Sequence, residues 1–341
     1  MARLKAISGL GRKSAALFLV EAGEQRILFD FGDGLEPGEH PDLSEVGVVD
    51  AVCLSHAHED HAGSLMRLGE VGSPPVYATS RCFEQIPEAL RLVERRIIPE
   101  RGGFDLFGMD ITVGQCGHAP GGVWFHLPTE RGGFLYSGDC SAESESMPLD
   151  PFPRAATLLV DASYGDRDSS LSDQREAIIK AADGGAVICC PAAGRGADMV
   201  QALLSAGHAV WAEDCIAQEY EAAMGQVVPV VDGMTACPEQ VIVTTSSNAE
   251  DGLSGALLAR GGFRFLFSSH VPKGSPAYPL IEAGEAQWLP WNVHPRLRDV
   301  LNWADQCGAD QVIPAFIDPA SATKLVAGLG KRLVLEREVE I

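Results

Sequence analysis

The six residues His56-Ala57-His58-Glu59-Asp60-His61 constrain this chain more than any other part of it. They follow the apolar run Ala51-Val52-Cys53-Leu54, so the sequence predicts a buried strand that ends in metal-binding side chains. Three of the nine histidines fall in this short stretch. Alternating imidazoles at a strand end splay to one side, and a following turn lets Asp60 and His61 face a neighbouring point. That layout suits two divalent ions about 3.5–4 Å apart, as in two-metal hydrolytic sites. A chain built around it is expected to bind metal and to hydrolyse something.

Three further signposts occur at other strand ends. Ile27-Leu28-Phe29-Asp30-Phe31-Gly32 places a carboxylate after an apolar run, Gly117-His118-Ala119-Pro120 a histidine in a turn, and Tyr136-Ser137-Gly138-Asp139 a second carboxylate. In this order, with HxHxDH, they resemble the metallo-β-lactamase fold superfamily. The resemblance implies an α/β fold, an αββα sandwich. It implies a first metal on His56, His58 and His118, with Asp139 bridging to a second metal on Asp60, His61 and Asp139. Asp30 would steady the ligand loop from behind. Imidazole and carboxylate donors suit Zn²⁺, one or two per chain, with Mn²⁺ an alternative at the oxygen-richer second site.

Composition agrees with an enzyme of this kind. The chain has 341 residues, 46% of them hydrophobic, and 37 glycines, which fits a large core with many tight turns. No apolar stretch approaches the ~20 residues of a membrane span, and no membrane association is expected. Ala15–Val20 is short and reads as a strand instead of a secretory leader. Nine cysteines without CxxC pairing argue for reduced thiols and a cytoplasmic location. The net charge of −21 removes the electrostatic attraction that usually dominates nucleic-acid affinity, so long polyanions are disfavoured as partners.

Along the chain, strands are expected at Ala15–Val20, Arg26–Phe31, Ala51–Leu54, Pro75–Ala78, Gly122–Leu127 and Gly133–Ser137, with helical periodicity at 62–68 and Cys82–Val93. From about Gly165 the texture turns to alternating helix and strand. Leu171–Ala182 reads as a helix with Ser172 as a cap, Ala186–Cys190 as a buried strand, and Gly196–Ala206 as a helix. His208–Ala212 and Gln240–Thr244 are further strands, which predicts a small parallel sheet. After about Gly284 a strand at Gln287–Trp291, a helix at Pro295–Cys307, a strand at Gln311–Ala315 and a helix at Pro319–Leu329 complete the first half. The expected division is therefore 1–165, an inserted cap at 166–284, and a completing part at 285–341.

The insertion narrows the resemblance. Leu158-Leu159-Val160-Asp161-Ala162-Ser163-Tyr164-Gly165-Asp166-Arg167 resembles the signature that opens the β-CASP group, whose members include ribonuclease J and the cleavage and polyadenylation nuclease. Pro191-Ala192-Ala193-Gly194-Arg195-Gly196 looks like a shortened form of the group's Gly-Arg stretch, and Ser268–Pro276 sits where it has a glycine loop. Trp291-Asn292-Val293-His294 resembles the segment carrying its next histidine. The resemblance implies an acidic role for Asp161 and proton donation by His294. A metal-activated hydroxide would attack phosphorus, with Asp60 orienting it. Arg195, Ser254, Lys273 and Ser275 are candidates to hold substrate phosphates, each being in a glycine-bearing loop.

Two departures qualify this. Where the group has a strand ending in Val-His-Gly-Glu, this chain reads Val312-Ile313-Pro314-Ala315-Phe316-Ile317-Asp318, and a phenyl ring cannot ligate metal. Asp318 and His270 are conceivable substitutes. Between Gly165 and Glu285 seven Lys/Arg stand against sixteen Asp/Glu, so the cap lacks the basic stripe of a long-RNA groove. The expected activity is a metal-dependent phosphodiesterase, ribonuclease-like, on RNA or a small phosphodiester. Alternatives are hydrolysis of a carbon ester, thioester or lactam, and a catalytically weak paralogue that serves as a scaffold for a partner nuclease. A homodimer and a partner protein both stay open.

Overall fold

A computed structural model describes residues 2–36, 38–87 and 94–341. The periodicity expected over Cys82–Val93 lies outside the described residues from position 88 onward; its described part is the helix Ser80–Gln85. The chain divides into two compact units, one of Met1–Ala142, Pro148–Asp168 and His294–Ile341, the other of Glu143–Met147 and Ser169–Val293.

The first unit contains two sheets. One has the spatial order Glu338–Glu340, Ala2–Ser8, Leu17–Ala22, Gln25–Phe29, Ala51–Cys53, Val76–Ala78, Arg95–Ile97. The other runs Gln311–Ala315, Thr157–Asp161, Phe134–Tyr136, Val123–Leu127, Met109–Gln115, Gly102–Leu106. The apolar runs of the central strands arise because both faces are covered, and a period of two sends alternate residues into different cores. Phe18, Val20, Ile27, Phe29, Ala51 and Cys53 point into the layer between the sheets, where they meet Phe125, Phe134 and Tyr136. Leu17, Leu19, Leu28, Val52 and Leu54 point the other way, against Leu65, Leu68, Cys82 and Phe83. The outer face of the second sheet, through Leu135, Leu158 and Val160, is covered by Val300, Trp303 and Ala304 of helix Leu297–Cys307 and by Leu325 and Leu329 of helix Thr323–Leu329. The arrangement is an αββα sandwich.

This pairing decides where chemistry can sit. Gln25–Phe29, Ala51–Cys53 and Val76–Ala78 are parallel neighbours, as are Phe134–Tyr136, Thr157–Asp161 and Gln311–Ala315. Their carboxyl ends release Asp30, the His56–His61 loop, Asp139, Asp161 and Phe316. Ligands of open α/β sheets gather at such carboxyl ends, where backbone groups are no longer paired within the sheet. Pro314 is tolerated inside its strand because that strand is an edge of the second sheet.

The second unit is built on a wholly parallel sheet, Val210–Ala212, Val241–Thr244, Ala186–Cys189, Phe265–Phe267, Gln287–Trp288. Ile188, Val243 and Leu266 pack with Met199, Leu203, Ile216 and Tyr220 on one face. Val187, Ile242 and Phe267 pack with Leu257 and Ala277 on the other.

Several local expectations change. The cap of helix Leu171–Ala181 is Ser170, whose hydroxyl accepts from Asp173 N at 3.2 Å; Ser172 lies inside the first turn. The strand at 287 is only Gln287–Trp288, and it pairs with Phe265–Phe267 in the parallel sheet. Both residues are exposed, as suits an edge, and the return to the first unit falls at His294 instead of 285. The final helix is split: Asp318 caps a 3₁₀ turn at Pro319–Ser321, and the α-helix begins at Thr323.

Candidate metal centre

The ligand loop is clamped to the strand beside it. Phe31 N donates to His61 O at 2.8 Å and Ala16 N to Asp60 O at 2.7 Å. This approach requires glycine at 32, since a Cβ there would stand 1.8 Å from the Asp60 carbonyl oxygen. The loop then closes into the short helix Glu59–Ala62, with His61 N and Ala62 N donating to His58 O.

Three imidazole nitrogens converge. His58 Nδ1 is 3.0 Å from His56 Nε2 and 3.1 Å from His118 Nε2. Ligands about 2.0–2.1 Å from a common zinc ion would be roughly 3 Å apart, so the spacing fits one ion. His56 Nδ1 is held by Ser55 Oγ at 3.0 Å, which leaves Nε2 for the centre. Burial, followed by the neighbouring histidines, holds His56 well below its ordinary pKa and therefore neutral, as a ligand must be.

Asp139 and His61 lie beside this trio. His61 Nε2 is 3.3 Å from Asp139 Oδ1, and neither atom, although buried, has a hydrogen-bond partner in the chain. Buried polar atoms without partners are costly, and an electrophile between or beside them would relieve that cost. The residues present therefore fit a metal. Behind His61, Asp30 Oδ2 accepts from Nδ1 at 2.7 Å, and Asp30 also accepts from Ser55 N, Ser55 Oγ and Tyr136 Oη. Asp30 holds φ at 59°, a left-handed conformation that turns its carboxylate back under the loop. Burial opposes charge on His61, but the carboxylates of Asp139, Asp60 and Asp30 raise its pKa well above 6.5.

A second carboxylate–imidazole pair flanks the centre. His294 Nδ1 lies 2.8 Å from Asp161 Oδ2 and 3.5 Å from Asp139 Oδ2. Asp161 is fully buried and is fixed by Ser163 N and Oγ at 2.9 and 2.7 Å and by Cys140 N at 3.2 Å. His118, Asp139 and His294 are themselves close enough to offer a further donor set.

Sequence reasoning missed Lys13. Its Nζ stands 3.2 Å from Asp60 Oδ2 and 3.5 Å from both Asp139 Oδ2 and Ser163 Oγ. Burial disfavours the ammonium, but Asp139, Asp60 and Asp161 outweigh it and raise the pKa well above 10.5. Burial likewise opposes charge on Asp139, yet Lys13, His61 and His294 hold its pKa well below 3.8. No local signal marks Lys13, which reads as a loop cation between two strands.

Phe316 is buried against His61, ring centroids 5.5 Å apart, and its N–H donates to Gly9 O at 2.7 Å. Of the conceivable substitutes, Asp318 is exposed and accepts from Ala320 N at 2.9 Å, and His270 is an exposed residue of the other unit. The four candidate phosphate contacts also belong to that unit. Ser254 Oγ donates to Thr245 O at 2.7 Å and Ser275 Oγ to Pro272 O at 2.8 Å, both residues being buried. Arg195 Nη1 donates to Ser268 O at 3.1 Å, and Lys273 is exposed.

The model of the metallo-beta-lactamase superfamily matches residues 10–193, more than half of the chain. Ribonuclease TTHA0252 of Thermus thermophilus is 30% identical over 175 residues, 44% of this chain and 41% of that protein. Transcription termination factor FttA of Cenarchaeum symbiosum is 26% identical over 248 residues, 59% of this chain and 38% of that protein. FttA of Methanocaldococcus jannaschii is 26% identical over 214 residues, 51% and 33% of the two chains. The chain thus spans about two fifths or less of these curated relatives. A crystal structure of a protein of unknown function from Enterococcus faecalis V583 has the same fold, with a TM-score of 0.68 at 14% identity and 99% of each chain covered. No helix among the described residues is long and apolar enough to cross a membrane.

Proposed function

The chain belongs to the metallo-β-lactamase superfamily, and from that premise we propose that it is a metal-dependent phosphodiesterase, β-CASP-like, acting on short RNA or a small phosphodiester. The observation that carries the reading is the convergence of His56, His58 and His118 beside Asp139, with the Asp161–His294 pair 3.5 Å from the same carboxylate. Zinc is the ion these imidazole and carboxylate donors favour, Mn²⁺ being the alternative. When bound, the metal would supply a Lewis acid and make water nucleophilic at neutral pH.

The chain's own residues divide the remaining work. Asp30 and Ser55 orient His61 and His56 from behind. To Asp60 we assign the orientation of the attacking water. Asp161 fixes the ring of His294 through Nδ1 and leaves Nε2 to protonate the departing oxygen. The ribonuclease name of the Thermus thermophilus relative supports a phosphodiester over a carbon ester. The net charge of −21 favours a short substrate over a long duplex or strand. Of the four candidate phosphate contacts, Lys273 is exposed, whereas Ser254, Ser275 and Arg195 already donate to backbone carbonyls. The free, mostly buried cysteines suit a reducing cytoplasm.

The test is release of nitrophenol from a bis-aryl phosphodiester and cleavage of a labelled oligoribonucleotide, each with Zn²⁺ or Mn²⁺. Turnover of either supports the reading. Metal-loaded protein that turns over neither overturns it.

A further inference from the structure

Asp60, His61 and Asp139 would suffice, with one more imidazole, for a second ion. Phe316 fills the side from which that imidazole would come, its ring 5.5 Å from His61. The same ring lies 4.8 Å from Lys13 Nζ, which reaches Asp60 Oδ2 at 3.2 Å and Asp139 Oδ2 at 3.5 Å. Ser163 Oγ, 3.5 Å away, gives the ammonium one more oxygen neighbour. The position is thus lined by two carboxylates, a hydroxyl and an aromatic face. Those are the surroundings of an ammonium: three rotatable donors for oxygens and a π face for the remaining charge. A divalent ion could use the carboxylates but would gain nothing from the ring.

We infer that the centre is built for one metal ion and that the Lys13 ammonium permanently takes the place of the second. The inference rests on the metal reading of His56, His58 and His118, and deepens it. The charges agree: one divalent ion and one ammonium together match the carboxylates of Asp60, Asp139 and Asp161, which surround them. A second divalent ion would have to displace a lysine held by two of those carboxylates and approach within a few ångströms of the first.

The backbone holds the substitution together as a unit. Phe316 N donates to Gly9 O, and Gly9 N donates to Ser14 Oγ at 3.2 Å, so the loop that carries Lys13 is bonded at its base to the residue replacing the ligand. Gly9 has φ of 94°, and a Cβ there would stand 2.6 Å from the Phe18 ring and 3.2 Å from the Phe316 ring. The glycine therefore makes room for the phenyl group that the lysine caps.

The experiment counts metal. Wild-type protein is stripped, incubated with excess Zn²⁺, desalted and assayed by elemental analysis, and titrated calorimetrically in parallel. One equivalent per chain is expected. Phe316→His alone should stay at one, because the ammonium still fills the position. The double variant Lys13→Ala, Phe316→His should rise to two, with paired Co²⁺ ions showing spin coupling. Two equivalents in the wild type, or a folded double variant that stays at one, overturns the inference. If the double variant does not fold, the wild-type count decides. No bound metal in the wild type overturns this inference and the proposed function together. One equivalent without phosphodiester turnover leaves the single-metal centre standing and removes only the proposed function.

Discussion

Asp30 Oδ2 lies 2.7 Å from His61 Nδ1, and neither side chain has any solvent-accessible surface. The carboxylate receives four donors from three other residues, so it organises the floor of the centre without contacting the region where metal would bind. Asp30→Asn keeps the size and tolerates the left-handed backbone but loses the charge, and should cost about 1–3 kcal/mol of stability. Asp30→Ala, which abandons every donor, should cost about 3–5 kcal/mol. Urea denaturation of the metal-free variants measures both, and an Asp30→Asn variant as stable as the wild type would show that the charge contributes nothing.

The stability of metal-free protein should peak near pH 6.5. His56, held low by burial, must be neutral in the folded state; its stabilising contribution is present above 6.5 and is lost as pH falls below it. His61, raised by Asp139, Asp60 and Asp30 against burial, contributes stability that is complete below 6.5 and is lost as pH rises toward its elevated folded pKa. The melting temperature of chelator-treated protein against pH should therefore fall on both sides. Metal binding should flatten the acid side of the curve, since the ion competes with protons for the His56 ring.

His294→Gln should reduce phosphodiester turnover by about 10²–10⁴-fold, the usual share of a general acid, while metal content stays the same. Asp161→Asn should act through His294 and cost less, roughly 10–100-fold. The readout that separates the two roles is a substrate with a better leaving group. Its rate should recover in His294→Gln, because a phenolate of low pKa needs no proton.

Gly32→Ala should damage the centre without touching a ligand. The added methyl cannot coexist with the Asp60 carbonyl, so either the Asp60–His61 backbone or the end of strand Gln25–Phe29 must move. A loss of about 2–4 kcal/mol and at least tenfold weaker zinc binding are expected. Calorimetry of the purified variant checks both, and unchanged affinity would mean that the loop relaxes freely.

Much of this was legible because the sequence writes strands and their ends in different alphabets. Runs such as Leu17–Val20 and Ala51–Leu54 are apolar throughout, which is possible only for strands covered on both faces, and Ala51–Leu54 is followed at once by ligand-type residues. Local order sufficed for His56, His58 and Asp60, whose places are set by the strand immediately before them. Lys13 was illegible for the opposite reason. It meets Asp139, 126 positions away, only after two sheets have stacked, and a lysine in a glycine-bearing loop carries no mark of the carboxylates it will meet. The edge strand Gln287–Trp288 was misplaced because its residues are exposed and show no period. Ser170 and Ser172 are equally good caps by composition, and only the backbone turn of the actual helix selects the first.

The last segment of the chain supplies an edge strand to each sheet of the sandwich, Gln311–Ala315 to one and Glu338–Glu340 to the other. Every proposed metal ligand is synthesised long before them. A ribosome that stalls at Val293 would release a product with His56, His58 and His118 but with Ala2–Ser8 and Thr157–Asp161 each left bare along one side. Unpaired strands of that kind invite aggregation and proteolysis. Copies cut short at that point are therefore expected to be cleared by the cell's quality control before they can act as metal sinks.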